Sequence, residues 1–256
     1  MIHPTAVVDP EAKLGENVQI GPFSVIEAGV EIGAGCSLAS HTVVREGTRL
    51  GSECRVDSFA VLGGCPNYLG FDPKTRSGLE VGDRCVIRES VTLHRSIHED
   101  SATRIGDDCF FMASSHVAHD CVVGNRVVFA NEAALAGHIS MGDDSFIGGG
   151  AMVHQFSRIG EGAMISGLSR ITRDVAPFIL IAERDEISGL NLIGLRRRKV
   201  PAESIRELKD LFQKIIRSPG KPAEVASSLS AQSDVGQTFL AFFVPSKRGY
   251  AKSIST

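Results

Sequence analysis

An aliphatic residue recurs at every sixth position along most of this chain. From Ile2 the steps fall on Val8, Leu14, Ile20, Ile26, Ile32, Leu38, Val44, Leu50, Val56 and Leu62 without a miss. The phase breaks in GGCPNYLGFDPKTRSG, a run rich in turn formers. It resumes at Val81, Ile87 and Leu93, misses at Glu99, and then holds for twelve steps from Ile105 to Ile171. A period of six matches neither the 3.6 of an α-helix nor the alternation of a hairpin strand. It fits a parallel β-helix, in which three short strands make one triangular coil and each ladder aliphatic points inward. Three hexads give an 18-residue coil, stacked on the next at roughly the 4.8 Å strand spacing. Glycine often follows the ladder position, as at Gly15, Gly33, Gly51, Gly106 and Gly124, so glycine or another small residue is expected to turn the corners. With 27 glycines, no tryptophan and two tyrosines, the composition suits tight turns around a narrow aliphatic core.

The ladder ends after Ile171, and the period changes. In PAESIRELKDLFQKIIRS, Ile205, Leu208, Leu211, Phe212, Ile215 and Ile216 recur at helical spacing, with Pro201 at the start and Pro219-Gly220 at the end. A second helical region is expected within Ala223 to Phe243. The chain therefore divides into a β-helix over 1–190, with loop insertions at about 63–78 and 96–103, and a small helical domain over 191–256. The final AKSIST reads as an unstructured tail.

Other function classes are set aside by composition. A formal net charge of -3 points to no nucleic-acid partner. No apolar run approaches the roughly 18 residues of a membrane span. The start, MIHPTAVVDP, lacks the basic and apolar regions of a signal peptide. The six cysteines contain no CxxC pair, and Cys36 and Cys54 stand one coil apart as stacked small residues rather than a disulfide. The protein is expected in the cytoplasm.

An 18-residue coil turns spacing into geometry. His119, Gly137 and Gln155 fall in one outer column, each two residues past a ladder aliphatic. His138 and His154 lie one residue from that column, and His116 and His94 lie in the same or the preceding coil. Five of the eight histidines thus converge on one surface. A lone histidine would read as solvated, but five around one column argue against that. A metal site is the rival, since adjacent coils supply zinc-binding histidines in γ-class carbonic anhydrases. Here a glycine occupies the column where a second ligand would stand, so no metal and no cofactor are expected. Acid–base chemistry is left, because histidine titrates near working pH.

The motifs HVAHDCVVGN, LAGHIS, VHQFSRIG, ESVTLHR and NLIGLRRR, with the ending FLAFFVPSKRG, resemble the UDP-N-acetylglucosamine O-acyltransferases of lipid A biosynthesis, over essentially the whole chain. The resemblance implies a left-handed parallel β-helix followed by a C-terminal α-helical domain, assembled as a homotrimer with active sites between neighbouring prisms. It implies transfer of a 3-hydroxyacyl chain from acyl carrier protein to the 3-hydroxyl of UDP-N-acetylglucosamine. His119 would be the general base, Asp120 its orienting partner, and the Gly137 N–H the oxyanion donor. His94, His116, His138, His154 and Gln155 would line the pocket, and Asn191, Arg197 and Arg198 would hold the nucleotide. Some of the arginines of that run, together with Lys209, Lys214 and Arg217, are the alternative docking surface for the acidic carrier. Gly167 falls where the family sets acyl-chain length, and a glycine there leaves the groove open to a relatively long chain.

The chain departs from the family pattern in two places. Tyr68 and Gly70 stand where many members carry an Asp and a Lys that contact substrate, and Ile193 replaces an acidic residue that helps bind the nucleoside. Asp72 or Lys74 is a candidate for the missing contacts. A 3-amino sugar acceptor giving an amide, or an acyl-CoA donor, is therefore the alternative within the same fold. A zinc enzyme and a non-catalytic scaffold are the rivals outside it.

Overall fold

A computed structural model describes residues 1–253. Within it the hexads form three parallel sheets, one per face of a prism, of nine, eight and eleven strands. Most strands are two residues long. The expected stacking is met in register: Val117 lies opposite Leu135, and Leu135 opposite Val153. Ladder residues from Ile20 to Ile171 are buried, with Phe111 and Phe129 stacked at 4.8 Å in the middle of the core. The first coil is looser, and Ile2 is 48% exposed.

The glycines that directly follow the ladder position do not turn the corners. The third residue after most ladder aliphatics does so, in the left-handed region; it is glycine at Gly29, Gly35, Gly47, Gly150 and Gly162, but more often not: Asn17, Phe23, His41, Asp120, Arg126, His138 and Phe156 sit there at φ between 55° and 64°. Each such residue costs on the order of 1–2 kcal/mol in isolation. Hydrogen bonds to the previous coil offset this, as in His138 N–H to the His119 carbonyl (3.0 Å) and Glu132 N–H to the Ala113 carbonyl (3.1 Å). The glycines of the ladder-plus-one column meet a different demand. A Cβ on Gly33 would lie 2.6 Å from the Gly51 carbonyl carbon and from the Ser52 nitrogen, so the coils could not stack at their observed spacing. Close approach, and not backbone conformation, selects glycine there.

The two insertions leave the prism after Gly64 and Arg95. The strand at Gly78–Val81 and the strand at Ala102–Ile105 take the chain back. The buried Arg95 holds the first loop from below, donating to the Pro73 carbonyl at 2.9 Å and facing the Phe71 ring at 5.2 Å. All six cysteines are free, and only Cys65 is exposed.

The prism closes on an antiparallel pair, Ile179–Ala182 with Glu186–Leu190. Helices follow: α1 (Leu192–Arg197), α2 (Ala202–Ile216), α3 (Pro222–Ser227) and α4 (Asp234–Ala241). The expected second helical region is thus two short helices, because α3 ends before the Ser233 cap that starts α4. Leu208, Leu211, Phe212 and Ile215 form the buried face of α2. A partly buried ion pair ties the helices to the prism. Asp174, 1% exposed, accepts from Arg158 Nε at 2.8 Å, and the Arg158 guanidinium lies 4.5 Å from the centre of the Phe242 ring. The expected tail is partly ordered instead: Lys252–Ser253 pairs in parallel with Glu186–Ile187, which gives its backbone the partners a free tail lacks. Residues 254–256 lie outside the described chain. No helix among the described residues is long and apolar enough to cross a membrane.

Candidate active site

The left-handed corner at Asp120 aims His119 and Asp120 at one another. His119 Nδ1 lies 2.8 Å from Asp120 Oδ2, and both side chains are largely buried, at 13% and 8% exposure. A carboxylate partner places the ring proton on Nδ1 and leaves Nε2 with a free lone pair, the tautomer a general base needs. Asp120 is itself anchored. Ser96 Oγ donates to its Oδ1, the Ile97 N–H donates to Oδ2 at 3.3 Å, and its own N–H donates to Thr103 Oγ1 at 2.8 Å. Burial pushes the Asp120 carboxyl up, but the bonds from Ser96, His119 and Ile97 outweigh it and hold the group below the usual carboxylate range.

Gly137 lies one coil on. A Cβ there would be 2.5 Å from His119 Cε1 and 2.8 Å from Nε2, so the imidazole rests directly on the glycine backbone. At the equivalent position of another corner, the N–H groups of Asp107 and Asn125 donate to the Asn125 and Asp143 side chains. Among the described residues nothing accepts from the Gly137 N–H. The arrangement thus sets a base and an unused backbone donor side by side, which suits a reaction that removes a proton and builds an oxyanion.

The other histidines extend the set. His138 meets His119 edge to face at 5.0 Å and stacks on Phe156 at 4.6 Å. His116 Nδ1 shares a hydrogen bond with Thr92 Oγ1 at 2.7 Å, and its ring meets the His94 ring at 4.7 Å. Burial, helped by the neighbouring His116 and His119, lowers His94 to about 4, and its Nδ1 has no hydrogen-bond partner. Burial also lowers His116 and His138. Both keep a neutral, lone-pair-bearing ring to lower pH than an exposed histidine.

Three comparisons bear on what this constellation belongs to. Two stretches, 11–46 and 102–137, match the pattern of bacterial transferase hexapeptide repeats, and residues 174–251 match domain 2 of the UDP N-acetylglucosamine O-acyltransferases. A protein named acyl-[acyl-carrier-protein]--UDP-N-acetylglucosamine O-acyltransferase from Cupriavidus taiwanensis is 52% identical, over 98% of this chain and 99% of its own. One of the same name from Halorhodospira halophila is 42% identical, over 97% and 98%. The chain belongs to the UDP-N-acetylglucosamine O-acyltransferase family. Solved acyltransferases of that name from Campylobacter jejuni and Bacteroides fragilis superpose on it with TM-scores of 0.92 and 0.91. They are 35% and 34% identical and cover 98% of this chain and 99% of theirs. The fold is the left-handed parallel β-helix of this acyltransferase family.

Not every residue expected at the acyltransferase site meets the others within one chain. His94, His116, His119, Asp120, Gly137 and His138 are brought together. His154 and Gln155 lie a coil further on and are exposed, with His154 Nδ1 3.3 Å from the Gln155 carbonyl. Asn191 spends its amide on structure, capping α1 through the Gly194 N–H (3.0 Å) and donating to the Gly162 carbonyl (3.0 Å). Arg198 reaches Glu161 and lies 3.6 Å from Asp144, on a different corner of the prism from His119, while Arg197 is exposed. Ser96, Thr103 and Thr92 escape a reading of the sequence, as do His98 and Phe156 beside His138. Ser96 and His98 sit in the inserted loop, where the ladder gives no register, and the missed step at Glu99 is the one sign of that loop. Tyr68 lies beside His119, its ring tilted and 6.5 Å from the imidazole.

Proposed function

We propose that this acyltransferase moves a 3-hydroxyacyl chain from acyl carrier protein to the 3-hydroxyl of UDP-N-acetylglucosamine, the entry step of lipid A synthesis, in the cytoplasm. The single observation that carries the mechanism is His119 held between the Asp120 carboxylate and the Gly137 backbone. His119 Nε2 takes the proton of the sugar hydroxyl as its oxygen attacks the thioester carbonyl. The Gly137 N–H supports the oxyanion of the tetrahedral intermediate, the kind of contact worth about 3 kcal/mol. Collapse breaks the C–S bond, and the departing carrier thiolate recovers the proton from the imidazolium. The ester formed replaces the thioester lost, and no cofactor enters the balance. Asp120 keeps its charge throughout and favours the transient imidazolium.

His94, His116, His138, His154 and Gln155 line the acceptor and donor pocket, and Asn191, Arg197 and Arg198 receive the nucleotide. Because Arg198 lies on another corner of its own prism, it reaches the His119 surface only from an adjoining copy. This supports a homotrimer with sites between prisms. Lys209, Lys214 and Arg217 are exposed on and just after α2 and suit an acidic carrier protein. Gly167 is exposed, and its added Cβ would meet only the Gly149 backbone, at 3.2 Å from the carbonyl oxygen, so the groove there is open to a long acyl chain.

The test offers purified protein UDP-N-acetylglucosamine with a series of 3-hydroxyacyl carrier proteins and reads products by mass spectrometry. A UDP-3-O-acyl sugar that vanishes in His119→Ala supports the reading. Tyr68, Gly70 and Ile193, which alter the sugar- and nucleoside-binding pattern, favour one second reading, a 3-amino acceptor. Amide formation with that sugar and no ester from the hydroxyl sugar would establish it.

A further inference from the structure

One group of metal-ligating atoms lies just outside the base–oxyanion pair. His98, Asp120 and His138 each present a nitrogen or oxygen within 4.8 Å of the others. His138 Nδ1 lies 4.0 Å from Asp120 Oδ2, too long for a hydrogen bond. Zinc binds imidazole nitrogen and carboxylate oxygen at roughly 2.0–2.2 Å in a tetrahedral site, so two ligands of one ion stand about 3.3–3.6 Å apart. We propose that His98, Asp120 and His138 bind a divalent transition-metal ion of the zinc class, and that the bound ion withdraws the Asp120 carboxylate from His119.

Two of the three ligands are held in place. His138 is fixed at a left-handed corner between the His119 edge and the face of Phe156. Asp120 is fixed by Ser96 and the Ile97 N–H. The third is adjustable: His98 is exposed on the inserted loop, with its ring 5.9 Å from that of His138. Ser96 couples the loop to the site, because the same Oγ that donates to Asp120 accepts the His98 N–H at 2.9 Å. Closing the set to bonding distance takes an approach of about 0.5 Å between His138 and Asp120 and an inward movement of the His98 ring by about 1 Å. Two imidazoles and one carboxylate select zinc, cobalt or nickel over magnesium or calcium, which favour all-oxygen sets. The glycine that argues against a metal on the His119 column has no bearing here, since His98 arrives through an insertion and not through the 18-residue register.

Asp120 Oδ2 is the atom that His119 Nδ1 uses and also the one nearest His138. An ion on it competes with the base for its orienting partner. Zinc would therefore inhibit, and His98 would be the handle on that inhibition, since it touches neither the base nor the Gly137 N–H. Binding stands apart from the proposed reaction; the inhibition rests on it.

The test uses chelator-treated full-length protein titrated with Co2+ in the visible region, then with Zn2+ in competition. Uptake of one cobalt per chain, weakened at least about tenfold in His98→Ala and unaffected by millimolar Mg2+, is expected. Without metal, His98→Ala should transfer acyl groups at the wild-type rate and need at least about tenfold more zinc for half-inhibition. No cobalt uptake, or equal uptake by both proteins, overturns the site. Zinc that binds without slowing transfer overturns the competition for Asp120. The cobalt spectrum reads the site whichever substrate the enzyme uses, so its failure is separable from failure of the proposed function.

Discussion

Replacing Gly137 by alanine adds one methyl group at the most constrained contact of the site. Its Cβ would lie 2.5 Å from His119 Cε1 and 3.0 Å from Nδ1, so the ring must retreat by about 0.9 Å to restore an ordinary 3.4 Å contact. The 2.8 Å bond to Asp120 cannot follow, because that carboxylate is pinned by Ser96 and Ile97. The backbone N–H survives the substitution, so the variant displaces the base and leaves the oxyanion donor in place. A misplacement near 1 Å costs about 100-fold in rate, or roughly 2.7 kcal/mol of barrier. Initial rates of acyl transfer should show kcat falling by that factor with KM little changed. The melting temperature should move by only a few degrees, since the His119 ring can swing toward solvent. In a His119→Ala background the methyl group has nothing to displace, and its effect should disappear. A kcat within threefold of wild type, or an equal loss in the His119→Ala background, would refute the contact as the source of base placement.

Three further outcomes follow from the geometry. His94, lowered to about 4 by burial and by its histidine neighbours, binds fewer protons folded than unfolded between that value and 6.5. Its contribution is complete above pH 6.5 and is lost as pH falls toward 4, up to about 3 kcal/mol; melting temperature against pH should flatten over that window in His94→Gln. Asp174→Ala removes the buried acceptor of the Arg158 N–H and of its partly exposed guanidinium, and should lower unfolding free energy by about 2 kcal/mol in urea titration. Gly33→Ala must push the backbones of neighbouring coils apart and should cost about 2–3 kcal/mol. Gly29→Ala, at φ 66° with nothing near its Cβ, should cost about 1 kcal/mol, and equal losses at the two sites would undo the distinction between close approach and left-handed backbone.

How much of this is legible without coordinates depends on distance from the repeat. The burial of Ile20 through Ile171 and the stacking of His119 beneath Gly137 follow from spacing, because the coils outside the two insertions have the same length and each aliphatic has one place to go. The corner residues do not follow, since a glycine after the ladder position looks like a turn and is a packing requirement. Ser96 and His98 are out of reach, lying in a loop whose path the register does not set. Asn191 and Arg198 match a family motif, but a motif does not tell which carbonyl or carboxylate a side chain will meet.

The sequence alone therefore determined the prism, its inner ladder and the column that carries His119, because a strict six-residue period is a geometric statement. Only the tertiary structure decided which oxygen of Asp120 meets His119, that Ser96 holds the other, and that His98 arrives beside His138. Those contacts join segments through insertions and side-chain rotamers, where neighbours are chosen by packing rather than by counting.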